Sequence, residues 1–151
     1  MNKVRRSGFT LIEVLIVVVI MAVLAATIIP QFSASTDDAK ASSQQFNVHT
    51  LRSQIEMYRI HHGAYPAITD GKLPQLTSAT NAAGTPGTGD GFPYGPYITG
   101  ELPNNPYNSD NTVVAGTGAG RSGTTGGWQY DAATGGVWPN NAEYWTEAAA
   151  E

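Results

Sequence analysis

Residues 1–30 read MNKVRRSGFTLIEVLIVVVIMAVLAATIIP, and how this stretch is read decides how much chain remains to build a folded core. Residues 9–29 carry a single charge, Glu13, and only two other polar side chains, Thr10 and Thr27. At about 1.5 Å per helical residue the run reaches roughly 30 Å, enough to cross the hydrocarbon of a bilayer. Lys3, Arg5 and Arg6 precede it. Basic flanks of this kind stay on the cytoplasmic side, so the remainder is expected to be exported. A secretory signal peptide shares the basic start, but its apolar region is only about 7 to 15 residues long. Cleavage after Ser33-Ala34-Ser35 would suit that alternative, which accounts neither for the length of the run nor for Glu13. A carboxylate in hydrocarbon costs about 2.5 to 3.5 kcal/mol on insertion scales, so Glu13 requires a partner.

Beyond the run, Pro30 removes one helical hydrogen bond and is expected to kink the helix. Residues 31–62 contain no glycine or further proline, while Val48, Leu51, Ile55 and Tyr58 recur at spacings of three and four. That pattern is one apolar stripe on an otherwise polar helix, with Gln44, Gln45, Arg52, Glu56 and Arg59 off it. Gly63 supplies a left-handed C-cap and Pro66 follows. Composition then changes: sixteen of the 17 glycines and eight of the nine prolines lie from residue 63 onward. Residues 81–91 and 115–127 lack apolar periodicity and are expected as surface loops. Trp128-Gln129-Tyr130 and Gly136-Val137-Trp138 flank a five-residue turn and read as a hairpin, with Thr112-Val113-Val114 as a third strand. The expected fold is α+β: a long N-terminal α-helix, half membrane and half amphipathic, packed on a small antiparallel sheet head with long Gly/Pro-rich loops. Tyr65, Phe92, Tyr94, Tyr97 and Tyr107, with Trp128, Tyr130, Trp138, Tyr144 and Trp145, are expected to supply most of the core.

Charge and residue usage exclude several functions. With no cysteine there is no disulfide, thiolate metal site or cysteine-linked lipid. Without residues 1–8, five basic side chains face twelve acidic ones, so the body of the protein repels phosphate and no nucleic acid is expected on the head. The glycine-rich tracts lack a phosphate-loop lysine, and Gly71-Lys72-Leu73 has no following Ser or Thr. No nucleophile elbow or paired-histidine zinc motif is present, so the chain is not expected to be an enzyme. His61 and His62 are assigned to the helix C-terminus, where the dipole favours positive charge, and His49 to the helix surface.

The stretch Arg6-Ser7-Gly8-Phe9-Thr10-Leu11-Ile12-Glu13 resembles the processing site of type IV pilin-like precursors. Tyr58-Arg59-Ile60-His61-His62-Gly63-Ala64-Tyr65-Pro66 is similar to the way such proteins end their long helix. Gly95-Pro96-Tyr97-Ile98-Thr99-Gly100-Glu101-Leu102-Pro103-Asn104-Asn105-Pro106-Tyr107 is similar to a loop of the major pseudopilins of type II secretion. Where that loop usually has Asp-Pro-Trp-Gly, this chain has Asn105-Pro106-Tyr107-Asn108. The resemblance implies four segments: a cleaved leader 1–8, a transmembrane half-helix 9–30, an exported amphipathic half-helix 31–62 and a head 63–151.

It further implies that a prepilin peptidase cuts between Gly8 and Phe9 and methylates the new Phe9 amine, leaving the anchor attached. That amine is the cation Glu13 would pair with, in its own subunit or across a filament, setting the register between subunits. The competing reading places Glu13 at a helix N-terminus, where the dipole favours its charge. The implied activity is polymerisation into a type II secretion pseudopilus that helps export folded proteins. Its implied partners are further copies of this chain, minor pseudopilins, the membrane and an inner-membrane assembly platform with its ATPase. The alternatives are a type IV pilus or DNA-uptake pilin, and a membrane-anchored or secreted binding module. No catalytic residue is assigned. Calcium in the head is the one cofactor the family suggests, with Asp110 and Asp131 as candidate acids but without a regular calcium-loop spacing.

Overall fold

The computed structural model describes residues 8–148, apart from the side chains of residues 29–34 and 147. Its first element, α1, spans Leu11–His62. Its residues fall into two compact units, one ending at Ala39 and one beginning at Lys40. The leader charges Lys3, Arg5 and Arg6 lie outside the described residues. The kink expected at Pro30 likewise falls where side chains are not described.

In the first unit, Leu11–Ile28 has a mean hydropathy of 3.0 and buries none of its residues, and it is long and apolar enough to cross a membrane. Its one interior hydroxyl, on Thr27, donates to the Leu24 carbonyl at 3.0 Å. That bond keeps the polar group satisfied within the helix itself.

In the second unit, Leu51, Ile55 and Tyr58 are buried and Val48 is packed beside them, as the stripe predicted. Gly63 adopts φ +71° and its N–H closes on the Arg59 carbonyl at 2.7 Å, ending the helix where expected. The chain then forms a single turn, α2 (Pro74–Thr77), and a two-residue hairpin of β1 (Ala79–Thr80) and β2 (Pro86–Gly87). The stretch 81–91 is therefore not all loop: the Asn81 carboxamide accepts from the N–H groups of Ala83 and Thr85, both at 3.0 Å, and folds the hairpin turn.

A three-stranded sheet follows, β3 (Val113–Ala115), β4 (Trp128–Tyr130) and β5 (Val137–Pro139), in the order β3-β4-β5. The expected hairpin is present, antiparallel and paired Trp128 to Pro139 and Tyr130 to Val137. Its third strand departs from expectation, because β3 runs parallel to β4 and the sheet is mixed. The loop of residues 116–127 is long enough to carry the chain back before β4 begins, which a tight turn cannot do. A last short helix, α3 (Ala142–Ala148), closes the described chain.

The core also corrects the expectation of a largely aromatic interior. Trp128 and Tyr130 are fully buried, but the other rings in that set are not, and Leu73, Leu76, Leu102, Val113 and Val137 fill the remaining space. Isolated leucines outside any periodic run carry no local signal of burial. Leu76 is positioned by its own carbonyl, which accepts from Tyr97 N–H at 2.9 Å and Ile98 N–H at 2.8 Å.

Candidate processing and assembly site

Gly8, Phe9 and Thr10 precede the first helical turn, so the Gly8–Phe9 bond lies in non-helical chain. A Cβ built on Gly8 would meet nothing within 4 Å, and Phe9 is 86% exposed. Among the described residues, nothing covers the position of Gly8.

Glu13 has a partner three residues before it, Thr10. The Thr10 N–H and Thr10 hydroxyl both donate to its Oε2, at 2.9 and 3.0 Å, and Glu13 N–H donates back to Thr10 Oγ1 at 3.3 Å. This is a capping box, in which an N-cap threonine and a glutamate three residues on satisfy each other's backbone donors. The Thr10-Leu11-Ile12-Glu13 spacing is its sequence signal, and it makes the competing dipole reading of Glu13 specific. Because α1 begins at Leu11, Phe9 and Glu13 are not an i, i+4 pair on one helix. They nevertheless share a face, lining one shallow depression of about 210 Å³ with Val14, Val17, Val18 and Met21.

Within the head, the candidate acids are bound to their own turns. Asp110 Oδ1 accepts from Thr112 N–H at 2.8 Å and its hydroxyl at 2.7 Å, and these bonds, the backbone one foremost, hold its carboxyl below the usual range. Asp131 accepts from Ala133 N–H at 2.9 Å and the Thr134 hydroxyl at 2.8 Å and is lowered for the same reason. Among the described residues no three His, Asp or Glu side chains gather where they would hold a metal.

His49 is exposed on α1 as expected. His61 and His62 do more than end the helix: His61 Nδ1 and His62 Nε2 lie 2.9 and 3.1 Å from the Tyr97 hydroxyl, and His62 Nε2 is 3.0 Å from Thr80 Oγ1. They tie the helix end to the hairpin and the loop after it.

Gln44, expected among the solvated positions, is buried. Its Nε2 donates to Asn105 Oδ1 at 3.0 Å and Asn141 Oδ1 at 2.6 Å, while Asn105 Nδ2 donates to the Gly127 carbonyl at 2.8 Å and to Asn141 Oδ1 at 3.0 Å. Gln44 sits four residues before Val48 on the apolar stripe, and that spacing was the missed signal.

Comparison with known proteins places this geometry. Residues 3–29 match the family model of the prokaryotic N-terminal methylation motif, so the capped apolar helix and the junction before it belong to the class of chains carrying that motif. Residues 31–133 match the model of type II secretion system (T2SS), protein G, and the chain belongs to that family. It is similar to the type II secretion system core protein G of Aeromonas hydrophila, 31% identical over 115 residues that cover 76% of this chain and 77% of the relative. The core protein G of Klebsiella pneumoniae is 32% identical over 111 residues, covering 74% and 76%. Against the Pseudomonas aeruginosa core protein G the identity is 37% over 71 residues, 47% of this chain and half the length of that relative. No solved structure matches.

Proposed function

We propose that this chain is a structural subunit of a type II secretion pseudopilus, made as a precursor, cut by a prepilin peptidase between Gly8 and Phe9 and methylated on the Phe9 amine. The observation that carries the reading is the junction: an open Gly8–Phe9 bond directly before a capped apolar helix in which no residue of Leu11–Ile28 is buried. Cutting there removes Lys3, Arg5 and Arg6, keeps the anchor and frees an amine one residue from Thr10, toward which the Glu13 carboxylate is already turned. The pairing of that amine with Glu13, its own or a neighbouring subunit's, then gives a carboxylate placed in hydrocarbon a cation and fixes axial register. The exported half-helix and head follow from the same topology, with the N-terminus cytoplasmic and the head outside the inner membrane. Assembly is driven by a membrane platform and its ATPase together with minor pseudopilins, and the subunit's own task is polymerisation rather than catalysis. The names of its relatives favour secretion over the pilus alternative.

The intact mass of the mature chain tests this. A chain beginning at N-methylated Phe9 is expected; a start near Thr36, or an uncut leader in cells with an active peptidase, would sink the reading.

A further inference from the structure

The calcium site that the family implies needs six to eight oxygen ligands, carboxylates and carbonyls among them, and among the described residues no three acidic or histidine side chains gather to supply its side-chain share. The loop of residues 116–127 carries one charged side chain, and it is the cation Arg121. Its carbonyl oxygens, the groups a cation would gather, are turned to N–H donors instead. Gln129 Nε2 takes the Gly120 carbonyl at 2.8 Å, and Asn140 Nδ2 takes those of Ser122 and Thr125 at 3.0 and 2.7 Å. Asn108 Nδ2 takes Gly126 at 3.1 Å and Asn105 Nδ2 takes Gly127 at 2.8 Å, while the loop's own Ser122 hydroxyl donates to the carbonyl of Ala115 in β3 at 2.7 Å.

The same amides also accept from the loop. Gly118 N–H donates to Gln129 Oε1 at 2.9 Å and Ser122 N–H to Asn140 Oδ1 at 3.1 Å. Gln129 and Asn140 are both fully buried. Gly116 passes so close to Gln129 that a Cβ there would lie 2.3 Å from the Gln129 side chain, so the loop is shaped around the amide. An amide offers donors and an acceptor together, which a bare cation does not. Asp110, one of the candidate acids, already accepts from the Thr112 N–H and hydroxyl.

We propose that Asn140 and Gln129 close the 116–127 loop in the role a bound calcium ion would otherwise fill, so that this head keeps its fold without a divalent cation. The inference concerns the head alone and holds whether or not the chain polymerises. The test is hydrogen exchange at the Gly118 and Ser122 amides, with thermal unfolding, on the full chain in detergent micelles with calcium chloride or with excess chelator. Exchange rates and Tm are expected to be the same in both. Asn140→Ala should speed exchange at Ser122 by at least about tenfold, more than at Gly118, and lower Tm by about 5 to 10 °C, with no recovery in calcium. Should that variant fail to fold, Gln129→Glu, which keeps the acceptor for Gly118 but loses the donor to Gly120, should show its faster exchange within the loop and not in α1. A wild-type Tm that rises in calcium, loop amides protected only in its presence, or an Asn140→Ala chain that folds without faster exchange at Ser122 would each overturn the proposal.

Discussion

The two units place opposite demands on apolar side chains. In Leu11–Ile28 valine, leucine and isoleucine stay about half exposed or more, and the side-chain hydrogen bonds of Thr10, Glu13 and Thr27 run within the helix and its cap. From Lys40 onward the apolar stripe of α1 turns inward: Leu51 is 1% and Ile55 0% exposed, in one cluster with Leu73, Leu76 and the rings of β4. Burying one such side chain is worth about 1.5 to 3 kcal/mol, so the second unit carries the stability of its fold within itself. The first unit leaves that free energy uncollected until lipid or neighbouring helices cover it. The two patterns separate what a chain does for its own fold from what it reserves for its surroundings.

Substitutions probe that contrast. Ile55→Ala should have the largest effect on the folded head, a loss of about 2 to 5 kcal/mol from the deleted contacts and the cavity left behind, read by denaturant unfolding of the micellar protein. An intermediate effect should follow acidification. The folded-state pKa of Asp110 is depressed, as are those of Asp131 and Glu143, so each contributes stability above the unfolded carboxylate value near about 4. That stability is lost as pH falls through the lower folded values, and Asp110→Asn should show a shallower fall of Tm over this window than the wild type. Val18→Ala should be the smallest, leaving the Tm of the head unchanged although it removes two apolar carbons. A loss there as large as at Ile55 would break the distinction between the two units.

Much of this organisation is legible in residues 1–63 because its signals are local. Helical periodicity names Leu51, Ile55 and Tyr58, Gly63 ends the helix with φ +71°, and the length of the apolar run speaks for itself. The hairpin of β4 and β5 is legible for the same reason, since its turn and strands are contiguous. What escaped depends on distant partners. The direction of β3 is set by the path of residues 116–127, and Gln44 is buried only because Asn105 and Asn141, 61 and 97 positions away, receive its amide. The histidine pair reads as a helix end until Tyr97 arrives, 36 and 35 residues later. At the candidate site the opposite happened. Thr10-Leu11-Ile12-Glu13 is a local capping signal that needs no distant partner to be legible.

That leaves Glu13 with one observed task, capping α1, and one proposed task, pairing with the Phe9 amine, and one substitution separates them. Glutamine serves a capping box as glutamate does, but carries no charge. The most direct measurement is therefore filament yield from Glu13→Gln beside Glu13→Ala, each checked for membrane insertion and for a mature N-terminus at Phe9. If the charge pair drives assembly, both variants are inserted and processed and neither forms filaments, with yield at least about tenfold down, the loss expected when a buried charge is left without its partner. Filaments from Glu13→Gln at the wild-type level would contradict the account and leave Glu13 as a helix cap alone.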